Sequence, residues 1–189
     1  MTTISSRMRQ LAGVLALAAT ATAAEAQAPT RIVSINPFLP LAGSFQGEFE
    51  TRIRDNMSVA VSGSYLAFGD DNDDNYTNAD IKLRLYPSER ALQGFGIAAG
   101  LGVGRQTAVT EFVCIEASSV ECINRRVSAT GATFSVEMQY QWLLGTSRNT
   151  AVTVGGGAKR YYIDESRNGI NLYTNYVPTL RLTVGYAFK

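Results

Sequence analysis

Ala79-Asp80-Ile81-Lys82-Leu83-Arg84-Leu85-Tyr86 alternates an apolar residue with a charged or polar one at every step. A period of two is the signature of a strand with one dry face and one wet face. Ala79, Ile81, Leu83 and Leu85 fall on one side, and Asp80, Lys82 and Arg84 on the other. A helix turns 100° per residue and would mix the two sets.

The alternation recurs in both directions from this stretch. From Leu41 to Ile53, Phe45, Phe49 and Ile53 oppose Gln46, Glu48, Glu50 and Arg52, and Arg54-Asp55-Asn56 follows as a short turn. Val59, Val61 and Tyr65 then oppose Ser58, Ser62 and Ser64. Residues 94 to 104 place Phe95, Ile97, Leu101 and Val103 against Gly96, Gly100, Gly102 and Gly104. Further strands are expected over 127–142, with Glu137 on the polar face, and up to about Tyr162, with Lys159 on the polar face. The last, Leu180 to Phe188, carries Arg181 and Thr183 on its polar face.

That makes seven strands, and the connections between them alternate in length. Those after Ile53, Tyr86 and Leu144 are short; those at 69–76, 106–125 and 163–175 are long and read as external loops. Single-chain bacterial barrels have even strand numbers, and this alternation requires one strand before Leu41. Ile32 to Phe38 is the candidate, turning through Pro40. The expected fold is all-β, an eight-stranded antiparallel up-and-down transmembrane β-barrel.

Residues 1–28 have the parts of an export signal: Arg7 and Arg9, an apolar run from Leu11 to Ala24, and small residues that permit cleavage after Ala26 or Ala28. That run falls short of the roughly 20 residues that span a bilayer as a helix. Residues 29–189 form the expected barrel domain. Losing Arg7, Arg9 and Glu25 leaves 15 basic and 15 acidic residues, a balance that gives no support to nucleic-acid binding.

Two barrels share this pattern. A soluble lipocalin-like barrel points its apolar face inward around an apolar ligand and its charges to water; a membrane barrel does the reverse. The polar face here mixes Glu48, Glu50, Arg52, Asp80, Lys82, Arg84, Glu137, Lys159 and Arg181 with glycine, serine and threonine. Eight strands enclose just enough space for side chains to fill, so long charged groups opposite very small residues suit an interior. Tyr65, Tyr86, Trp142, Tyr162, Tyr173, Tyr176, Tyr186 and Phe188 near strand ends suit interfacial girdles.

On this pattern, with Ile35-Asn36-Pro37-Phe38 in its opening strand, the chain resembles small bacterial outer-membrane barrels of the OmpA-barrel and OmpX type, and outer-membrane barrel families of unassigned function. The resemblance implies outer-membrane lipid and lipopolysaccharide as surroundings, assembly by the barrel-assembly machinery, and a monomer. Such proteins usually end on an aromatic residue; here Phe188 is followed by Lys189.

No catalytic or cofactor site is expected. The chain has no histidine, so the serine–histidine pair of outer-membrane lipid hydrolases cannot be built. The glycine run at 94–104 continues as a strand, without the helix a dinucleotide site needs. An EF-hand register from Asp71 puts Tyr76 at the glycine position and Lys82 at the bidentate glutamate, so no metal site is assigned. Cys114 and Cys122 lie in the longest predicted loop, and a loop-closing disulfide is expected in an exported chain. The interior charges are expected to form a salt-bridged plug, with a narrow channel for ions or small solutes as the alternative.

Overall fold

The structure is a computed structural model that describes residues 28–68, 74–88, 90–117, 119–162 and 176–189. Its strands are β1 (Arg31–Ile35), β2 (Phe45–Arg54), β3 (Met57–Phe68), β4 (Asp74–Leu85), β5 (Gly94–Ala117), β6 (Ser119–Leu144), β7 (Thr150–Tyr162) and β8 (Tyr176–Phe188). Each pairs antiparallel with its neighbour in sequence, and β1 pairs with β8, so the sheet closes into a barrel in the order expected. Of the expected leader, residues 1–27 lie outside the described residues.

The registers show how wide and how tilted the barrel is. Stepping through directly paired residues leads from Ile32 to Glu50, Ala60, Lys82, Gly100, Ser135, Lys159 and Val177. Extending the β8–β1 register from Val177 returns to position 42, ten residues from the start. Such a stagger forces the strands to tilt, by about 35–45° for an eight-stranded barrel.

The two faces separate as the alternation predicts. Ile81, Leu101, Met138 and Leu180 are among the many large apolar residues exposed on the outer wall. Glu50, Asp80, Lys82, Arg84, Thr133, Ser135, Gln141 and Arg181 are buried inside. The interior of this molecule is polar and its exterior is oily.

Three segments differ from the sequence reading. β1 stops at Ile35 because the Asn36 side chain turns back to accept the Phe38 N–H at 3.0 Å, and Pro37 supplies no donor. Leu41, Ala42 and Gly43 are not strand: Leu39–Ala42 forms a 3-10 turn capped by Gly43 at φ 72°, and β2 begins only at Phe45. The expected loop at 106–125 is mostly strand. β5 and β6 pair through to Ala117 and Ser119, while β4 accompanies β5 only to Thr107 and β7 accompanies β6 only to Ala132. A two-stranded ribbon therefore stands beyond the barrel, in a segment rich in the β-branched residues Val109, Thr110, Val113, Ile115, Val120 and Ile123. Cys114 and Cys122 are direct register partners across it.

Candidate functional site

The barrel lumen is the candidate site, and β4 and β5 define its shape. Inward residues of β4 face the smallest residues of β5 in register: Arg84 opposite Ala98, Lys82 opposite Gly100, Asp80 opposite Gly102 and Asn78 opposite Gly104. A Cβ on Gly100 would lie 2.9 Å from Lys82 Cγ and 2.6 Å from Ser135 Oγ. The glycine run thus makes room for long side chains leaving the neighbouring strand, as the sequence pattern suggests.

These side chains join into layers. Nearest the β2–β3 turn, Tyr86 Oη donates to Glu50 Oε1 at 2.6 Å, and Ser58 Oγ donates to the same oxygen. Gln141 bridges the Leu92 carbonyl (2.8 Å) and the Thr153 hydroxyl (2.8 Å). The next layer centres on Glu48. Arg84 Nη2 reaches Glu48 Oε2 at 2.7 Å while its Nη1 lies 2.6 Å from Glu50 Oε2. Arg181, from β8, donates to both oxygens of Glu48. Lys82 Nζ then binds Glu137 at 2.7 Å, and Arg181 stands 3.9 Å from the other Glu137 oxygen. Above these, Lys159 Nζ meets Asp80 Oδ2 at 2.6 Å while Thr133 donates to Asp80 Oδ1 at 3.0 Å.

Eight of the nine predicted interior charges are therefore brought together. Glu48, Glu50, Asp80 and Glu137 balance Lys82, Arg84, Lys159 and Arg181, and each of the eight has an opposite charge within ion-pair distance. Arg52 is the exception. It shares the parity of Glu48 and Glu50 but sits at the end of β2, exposed at the barrel mouth. Tyr86 also departs from expectation: it is fully buried in the lumen and belongs to no girdle. Tyr173 lies outside the described residues.

The sequence reading missed two features. Leu92, in the β4–β5 connection, is fully buried with Ile32, Ala151 and Ala187, and these four form an apolar lid across the turn end of the lumen. A single leucine in a connection carries no periodic signal. Tyr76 and Tyr161 point inward near the opposite end, ring centroids 5.3 Å apart and edge to face. Tyr76 keeps parity with Asn78 and Asp80, so extending the period two residues earlier identifies it. A cavity of about 300 Å³ lies between the charge network and that end, bounded by Tyr76, Tyr161, Asp80, Lys82 and Lys159.

The chemistry open to this arrangement is limited. Glu50 accepts from Ser58, but Arg84 and Tyr86 also hold it, which leaves it a poor base for activating that hydroxyl. The outer wall carries aromatic residues at both ends. Tyr140 packs on Trp142 at 4.6 Å and Tyr186 on Phe188 at 6.1 Å near the turns. At the opposite end Arg160 lies over Tyr162 and Tyr176, at 4.9 and 5.1 Å.

No protein-family model and no curated protein matches the chain. Among solved structures, it is similar to the crystal structure of the N-terminal β-barrel domain of Pseudomonas aeruginosa OprF. The identity is 15% over 85% of this chain and 98% of that one, with a TM-score of 0.47.

Proposed function

We propose that this protein is an exported, integral outer-membrane β-barrel that acts without catalysis, as a structural or surface-interaction element. The inversion of polarity carries this reading. Phe45, Val61, Ile81, Leu83, Leu101 and Leu180 stand exposed on the wall, while four acidic and four basic groups are buried behind them. In water such a wall would be a large sticky patch. In a bilayer it is the lipid-facing surface, and closure of the sheet leaves no unpaired strand edge within it.

The lumen reads as a plug. Charges buried in low dielectric are tolerated when paired and hydrogen-bonded, and the Leu92 lid adds an apolar barrier at one end. The partners implied are membrane lipid and lipopolysaccharide around the wall and the barrel-assembly machinery during insertion, with a monomer as the working form. Outside the barrel, we assign Cys114 and Cys122 as a disulfide across the ribbon, formed in an oxidising compartment.

Fractionation tests the placement. The mature protein is expected in the outer-membrane fraction, extractable only with detergent and shifting in gel mobility on heating. Recovery as a soluble periplasmic protein contradicts it. A narrow channel is the second reading, because Arg181 already lies between Glu48 and Glu137 and could exchange partners. Reproducible conductance steps in planar bilayers, lost when Lys82 or Arg84 is replaced, would establish it over the plug.

A further inference from the structure

We infer that the turn-end mouth of the barrel is a binding site for a phosphate-type oxyanion. Below the lid of Ile32, Leu92, Ala151 and Ala187, a vestibule of about 630 Å³ opens to solvent. Among the described residues, Arg52, Arg90 and Arg148 line it with a single acidic residue, Asp55, and the amides Asn56 and Gln93. The interior network balances its own charge without Arg52, so this arginine is surplus to the plug. Among the described residues no ion pair takes up any of the three guanidinium groups. Three like charges around one concave mouth focus a positive potential into it.

The backbone supports the same conclusion independently. Arg148 sits at φ 54°, the left-handed region that glycine or asparagine occupies more readily, although Gly145 and Asn149 lie within three residues of it. A turn bond from the Arg148 N–H to the Gly145 carbonyl (3.1 Å) holds it there, and its guanidinium donates to the Gln93 side-chain carbonyl beside the vestibule. Strain kept at a non-glycine residue marks a position where the side chain is needed. The connection carrying Arg90 is tied down as well. Tyr86 N–H bonds the Asn56 carbonyl at 2.8 Å and Ala91 N–H bonds the Asp55 carbonyl at 2.5 Å, which fixes the mouth's rim. Guanidinium forks on a fixed rim match the paired oxygens of a phosphate.

The anion could be a free phosphate or the headgroup of a phospholipid, since the aromatic pairs Tyr140–Trp142 and Tyr186–Phe188 flank the same end. The site itself does not depend on what surrounds the wall. Only its lipid source rests on the proposed membrane placement.

Two titrations of the purified mature protein separate these sources. One adds inorganic pyrophosphate to the protein in non-ionic detergent; the other compares retention of phosphatidylglycerol with phosphatidylcholine by native mass spectrometry. The R52Q/R90Q/R148Q variant is expected to weaken binding by about tenfold or more, while R31Q/R54Q, on the same end but not lining the vestibule, leaves it unchanged. Pyrophosphate binding lost in the triple variant supports a free anion; preferential phosphatidylglycerol retention lost there supports a headgroup. Should the triple variant lose its heat-modifiable migration, the single variants R52Q and R90Q serve, since both residues are exposed. Equal binding by wild type and arginine variants, equal loss in R31Q/R54Q, or no binding to either probe by the wild type overturns the inference.

Discussion

Lys82 on β4 and Gly100 on β5 are register partners, and the lysine side chain occupies the space that any larger residue at position 100 would need. Gly100→Val therefore forces Lys82 off the path to Glu137. The expected cost is about 1–3 kcal/mol, the usual range for overpacking, with Gly100→Ala at the lower end. Urea unfolding of the refolded barrel in lipid measures both.

The Lys159–Asp80 pair offers a cleaner test of the plug. Lys159→Met leaves the buried Asp80 carboxylate without its cation, and breaking one side of a buried pair costs about 3–5 kcal/mol. Adding Asp80→Asn should restore much of that loss, because the uncompensated charge is then gone. If the double variant is as unstable as Lys159→Met, charge balance is not what holds this layer.

On the outer wall, Met138 is exposed between the two aromatic bands. Met138→Arg should destabilise a lipid-embedded barrel by about 2–4 kcal/mol near the bilayer midplane, whereas Met138→Leu should be nearly silent. An exposed site on a soluble protein would tolerate both changes equally. The comparison separates the two orientations that the alternation alone leaves open.

The proposed ribbon disulfide makes a separate prediction. Intact-mass analysis of the exported protein should find it two hydrogens lighter than its reduced form, with both thiols protected from alkylation. Cys114→Ser/Cys122→Ser should leave barrel unfolding almost unchanged, because the pair lies beyond the last residues that β4 and β7 share with the hairpin. Free, alkylatable thiols in the native protein would contradict the assignment.

Face assignment was legible because a period of two fixes it for every residue of a strand at once. Asp80, Lys82 and Arg84 declare one side of β4, and pairing carries that side around the barrel. Depth is another matter. Arg52 has the parity of Glu48 and Glu50, yet it ends in the mouth because parity says nothing about distance along the barrel axis. Leu92 was invisible for a related reason: its burial depends on a connection folding back under the strands, not on any repeat. The 106–125 segment read as a loop because the alternation of short and long connections called for a long one there, while its β-branched content favoured strand. Position 36 needed local chemistry, since only the Asn36 side chain and Pro37 end β1 where they do.

Trp142 gives the most direct test of the claim that the oily wall faces lipid. It is the chain's single tryptophan, outward on β6 and packed against Tyr140 near the turn end. In vesicles whose acyl chains carry bromine near the headgroup, a lipid-facing Trp142 is expected to show strong quenching of its fluorescence and little quenching by aqueous iodide. Fluorescence untouched by the brominated lipid and readily quenched by iodide would contradict it.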